Sequence, residues 1–133
     1  MNEMSSRSMR TPLGRVRGLG SAKEGTNHFW EQRLTAIALV PLSIWLALSI
    51  AQLAGAGWQE VAAWLSHPLS GLAMILFLAV GFFHFKLGLQ VVIEDYVHSE
   101  ASKITLLILN TFVCVVLALA GIVSVLKLMF GGG

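Results

Sequence analysis

An all-α fold that crosses a membrane three times is what this sequence predicts, and three observations carry that reading. Hydrophobic residues make up 56% of the 133 residues and charged residues only 12%. That is too little charge to cover a water-soluble domain, and the length suits one domain only. The apolar residues are also gathered into three long runs rather than spread. Each run reaches the ~20 residues that a helix needs to cross ~30 Å of hydrocarbon.

Residues 1–27 form a polar arm rich in Gly, Ser and Arg. Such a composition buries too little to fold alone, so order here requires a partner or a membrane surface. Arg7, Arg10, Arg15, Arg17, Lys23 and Arg33 are six of the nine basic residues. Basic residues ahead of a span stay on the cytoplasmic side. A nucleic-acid role is set aside, because no aromatic residue interleaves the basic ones before Phe29. The Arg- and Ser-containing start is similar in composition to an organellar transit peptide, and no cleavable secretory signal is visible.

The membrane domain is expected at 28–130. Its first span is read at about 29–54, with no charge between Leu34 and Leu53 and a modest kink at Pro41. Gly55-Ala56-Gly57 ends it, and 58–64 suits a short interfacial helix with Trp58 and Trp64 at headgroup level. Pro68, after His67, suits the first turn of a second span at about 68–97. That span is about 43 Å long and projects beyond the hydrocarbon on one side. A polar turn at 98–103 leads to the third span, about 104–127, uncharged until Lys127. Cys114 lies within it and reads as a small apolar filler, since a lone cysteine has no internal disulfide partner. The basic arm, the uncharged first loop and Lys103 in the second loop put the N-terminus inside and the C-terminus outside.

The second span alone has charged residues or histidine away from its ends, and such residues are functional candidates by default. On a helix with His84 set at 0°, Asp95 falls at about 20°, Gly88 at about 40° and Gly81 at about 60°. Lys86, Gln90 and Glu94 form a separate stripe at about 200–280°, and Tyr96 lies about 18 Å along the axis from His84. Glycines one turn on either side of a histidine leave room for a flat ligand, and imidazole is a common axial ligand of haem. Small residues also permit close helix packing. Haem ligation, an inter-helix hydrogen bond and a proton relay therefore all remain open for His84 on geometry alone. His28, His67 and His98 sit near span ends, so a six-coordinate haem would take its second ligand from another subunit. Asp95 and Tyr96 fit an interfacial anchor beside a solvated carboxylate. They equally fit a quinone headgroup site, where a phenol hydrogen-bonds the quinone oxygen and an acid supplies protons.

His84, Gly88, Gln90 and Asp95-Tyr96 together resemble the small hydrophobic membrane anchor of succinate dehydrogenase, respiratory complex II, in its cytochrome b small-anchor form. Arg33-Leu34-Thr35-Ala36-Ile37 at the opening of the first span, the three-span layout and the length extend the resemblance over roughly residues 28–130. It implies one chain of a heteromeric transmembrane bundle in a bacterial inner membrane or a mitochondrial inner membrane. His84 would be one axial ligand of a b-type haem shared with a companion cytochrome b anchor subunit, with Gly88 packing against the haem. His28 and Arg33 would lie near the haem propionates. Tyr96 would hydrogen-bond ubiquinone with support from Asp95, in a site completed by the companion and the iron–sulfur subunit. Succinate oxidation would belong to the flavoprotein subunit, since this chain has neither a dinucleotide-binding fingerprint nor a cysteine cluster. The basic arm would dock on the soluble subunits. Lys86 and Glu94 have no counterpart in the family pattern. The readings that compete with an electron-transfer anchor are an assembly protein whose polar residues only pack helices, and a transporter subunit relaying protons through His84, Lys86 and Glu94.

Overall fold

The computed structural model describes residues 11–16 and 23–131, and all its regular elements are α-helices. Most of the expected polar arm, 1–10 and 17–22, lies outside the described residues. Within the arm, α1 spans Pro12–Val16 with proline at its first position, where the missing N–H costs nothing.

Helix α2 spans Lys23–Gln52 and runs through Pro41. It starts ahead of the hydropathy boundary, because the polar turn Lys23–Asn27 is helical without being apolar: hydropathy marks the membrane, not the helix end. The chain turns back at Gly55, whose φ of 86° is left-handed and suits glycine. Helix α3 spans Trp58–Ser66, and the Gly57 N–H donates to Glu60 Oε2 at 2.8 Å across its first turn. The Trp64 ring stacks on Trp45 of α2 with centroids 5.6 Å apart. Helix α4 spans Pro68–Tyr96, with His67 Nδ1 accepting from the Leu69 N–H at 3.3 Å and Pro68 at the first position. Helix α5 spans Glu100–Phe130, three or four residues beyond the expected span at each end. Glu100 sits in its first turn and Lys127 in its last, each beside the dipole end of opposite sign.

Three of these helices are long and apolar enough to span a membrane: Thr26–Gln52 of α2, Pro68–Tyr96 and Glu100–Phe130. They alternate in direction. Thr35 meets His84 while Leu39 lies nearest Gly81, so α2 and α4 are antiparallel. Met129 lies against Gly71, Gly121 against Leu78 and Asn110 against Lys86, so α4 and α5 are antiparallel too. Helix α4 is the central one. It packs on α2, α3 and α5, whereas the backbones of α2 and α5 do not approach each other among the described residues.

Packing rather than apolar burial holds this arrangement, since lipid tails are as apolar as leucine. A Cβ at Gly71 would lie 2.9 Å from the Leu65 carbonyl oxygen, and one at Gly121 would lie 3.0 Å from Leu78. Both glycines let α5 and α3 come close to α4. Only Leu87, Cys114 and Val125 are buried hydrophobic side chains among the described residues. Leu34, Ile37, Val40, Ile44 and Leu48 form an exposed stripe on α2, a face left for lipid or another chain.

Candidate functional site

The polar centre of the bundle lies where α2 crosses α4. His84 Nδ1 is 2.9 Å from Thr35 Oγ1, so the inter-helix hydrogen bond is present. The same hydroxyl oxygen lies 2.7 Å from the Glu31 carbonyl and 3.0 Å from the Gln32 carbonyl. The other ring nitrogen, Nε2, has no partner among the described residues, yet it is not among the sealed, unpartnered polar atoms. It therefore opens outward from a half-buried ring. The hydrogen bond and a ligand role are not rivals, because each uses a different nitrogen.

The surroundings of His84 suit a flat apolar guest. A Cβ at Gly88 would meet nothing within 4 Å, so one turn beyond the histidine the surface is open. Nearby on the same helix, Phe77, Leu78, Gly81, Phe82 and Phe85 line an apolar hollow of about 300 Å³, which His84 itself does not line. Among the described residues no three His, Cys, Asp or Glu side chains converge. A metal here would have to bring most of its own ligands, as a porphyrin does.

His28 and Thr35 are seven residues apart on α2, about 20° from the same face. His28 Nε2 is sealed from solvent without a partner among the described residues. Arg33 is exposed and holds its guanidinium 4.4 Å from the Phe29 ring centroid. Asp95 and Tyr96 are exposed at the last turn of α4, with Tyr96 78% accessible. The structure therefore joins His84 to α2 but leaves Asp95 and Tyr96 about 16–18 Å away along α4.

The residues of the second polar stripe are occupied separately. Gln90 Nε2 donates to Glu94 Oε1 at 2.9 Å, and the Lys86 ammonium lies 5.8 Å from the Phe83 ring centroid. His84, Lys86 and Glu94 thus have three different partners and form no continuous relay among the described residues. Facing Lys86, the buried Asn110 of α5 donates from Nδ2 to the Lys86 carbonyl at 3.0 Å and accepts from Cys114 Sγ at 3.4 Å.

The matches to known proteins are consistent with this layout. Residues 7–118 match the family model for the succinate dehydrogenase/fumarate reductase transmembrane subunit. The chain belongs to this family. It is 33% identical over 110 residues to the succinate dehydrogenase hydrophobic membrane anchor subunit of Paracoccus denitrificans, covering 83% of this chain and 85% of that one. It is 31% identical over 111 residues to the protein of the same description from Rickettsia conorii, covering 83% and 88%. The succinate dehydrogenase membrane anchor subunit of Reclinomonas americana is 32% identical over 85 residues, covering 62% and 71%. No solved structure matches significantly.

The sequence reading singles out His84 and its flanking glycines but not two side chains that hydrogen-bond α4 to its neighbours, Thr35 and Asn110. Thr35 is visible only as part of the Arg33–Ile37 motif; its polarity within an otherwise apolar run is the available signal. Asn110 carries the same signal in the third span, where a search for charge alone passes over it.

Proposed function

We propose that this membrane anchor holds one axial position of a b-type haem through His84 Nε2 and helps to form the ubiquinone-reducing site with Tyr96. The observation that supports the haem reading best is the division of labour on His84: Nδ1 is tied to α2 while Nε2 stays unpartnered and accessible. Gly88 leaves the adjoining surface open for the edge of a macrocycle. The exposed guanidinium of Arg33 is a group that a propionate carboxylate would satisfy; His28 Nε2 is sealed and could meet one only after rearrangement. When bound, the haem would supply a one-electron carrier beside the path to quinone. The second axial ligand would come from a companion cytochrome b anchor subunit.

Tyr96 would hydrogen-bond a quinone oxygen and Asp95 would hold or pass a proton beside it. Electrons would arrive through the iron–sulfur subunit, after a flavoprotein subunit takes them from succinate. Tyr96 is well exposed at the end of α4, free to meet both a headgroup and a neighbouring chain. By the positive-inside rule, the basic residues of the N-terminal arm support a cytoplasmic or matrix side for that end of the bundle, and the antiparallel order would then leave the C-terminus on the other.

A dithionite-reduced minus oxidised spectrum of the purified complex tests the haem reading. His84→Ala is expected to abolish the b-type band while the complex still assembles. An assembled variant with an unchanged band and full haem content would refute ligation by His84.

A further inference from the structure

We infer that Thr35 is a positioning residue for His84, fixing its ring as the Nδ1–H tautomer so that the Nε2 lone pair faces out of the chain. This rests on the ligand reading of His84.

The argument is a count of hydrogens. Thr35 Oγ1 has three oxygen or nitrogen neighbours: the Glu31 carbonyl at 2.7 Å, the Gln32 carbonyl at 3.0 Å and His84 Nδ1 at 2.9 Å. A hydroxyl has one hydrogen to donate and lone pairs to accept with, and a carbonyl can only accept. If the hydrogen pointed to His84, both carbonyl oxygens would face the hydroxyl oxygen with no proton between them. In a span, where no bulk water offsets such repulsion, that arrangement is unfavourable. Donation back to the Glu31 carbonyl, one turn earlier, removes the conflict and is a common habit of threonine in helices. The lone pair of Oγ1 then faces Nδ1, so Nδ1 must carry the proton. A neutral imidazole holds only one, which leaves Nε2 bare.

Thr35 also fixes direction. Its β-branched side chain has restricted χ1 freedom, and its hydroxyl is tethered to its own helix. The accepting lone pair is therefore held still, and the imidazole plane is set by α2 rather than by α4. A hydrogen bond given by Nδ1–H also makes Nε2 a better donor to ferric iron, as partners of ligating histidines do elsewhere.

The test uses the whole complex carrying Thr35→Val, which keeps the side-chain shape and removes the hydroxyl, with Thr35→Ala as a second hydroxyl-free variant. Thr35→Ser is the rescue. The readouts are the haem midpoint potential and the low-spin ferric electron paramagnetic resonance signal, which reports the orientation of the axial imidazole planes. The hydroxyl-free variants are expected to lower the ferric-over-ferrous preference about threefold. At roughly 59 mV per tenfold this is a rise of about 30 mV. The resonance is expected to shift, and the serine variant to restore both. Unchanged potential and resonance in both hydroxyl-free variants would overturn the inference. So would a mere fall in haem content with the retained fraction unaltered, since that is what lost packing alone would do. His84→Ala is run beside them: if it keeps its haem, the ligand reading itself fails, whatever the Thr35 variants do.

Discussion

Among the described residues helix α4 makes one polar contact with each neighbouring span, and the two differ in how fully the polar side chain is used. Toward α5, Asn110 is buried and its amide is used on both sides, by the Lys86 carbonyl and the Cys114 thiol. Toward α2, His84 uses one ring nitrogen on Thr35 and leaves the other free and accessible. A polar group that only packs helices has every reason to saturate itself, because an unmet donor or acceptor in hydrocarbon is costly. A group left half satisfied beside an open surface is what the ligand role proposed for His84 would require. Polarity within a span is thus a weak signal of function, and residual valence is a stronger one.

The comparison breaks most readily at Gly88, on the open side. Gly88→Leu adds a side chain where the chain itself has nothing within 4 Å, so the anchor's own packing is expected to be unaffected. Overpacking against a haem would cost about 1–3 kcal/mol, and haem per complex is expected to fall about tenfold. Pyridine haemochrome assay against total protein checks it; full haem content would place the macrocycle elsewhere.

Tyr96→Phe probes the exposed end of α4. Loss of one hydrogen bond, worth about 0.5–1.5 kcal/mol, is expected to lower quinone reduction about threefold to tenfold while succinate oxidation by an artificial dye is unchanged. Both rates are measured on the same preparation. An equal fall in both would trace the effect to assembly instead.

The smallest effect is expected on the saturated side. Asn110→Leu removes the amide bridge to α4, and hydrogen bonds between spans average about 0.6 kcal/mol. Thermal unfolding in detergent is expected to shift down by a degree or two, with haem content and potential unaltered. A marked haem loss in this variant would erase the contrast between the two contacts.

Much of this was legible from residue order. The nearness of Gly88 to His84 and the distance of Asp95-Tyr96 from it needed only helical periodicity, because those residues lie on one helix and rise and rotation fix their relation. Helix ends were less legible. Hydropathy located the spans of α2 and α5 but not the polar turns Lys23–Asn27 and Glu100–Lys103, whose helicity depends on backbone hydrogen bonding rather than apolarity.

The sequence by itself determined three spans, a second span with polar residues inside it and a histidine flanked by glycines, since composition and local periodicity are properties of single segments. Only the tertiary structure decided which side chain of another span meets that histidine. Thr35 and His84 are 49 residues apart, and no local pattern relates them. Their pairing arises from the antiparallel packing of α2 on α4, and from it follows which nitrogen of His84 is bound and which is left free.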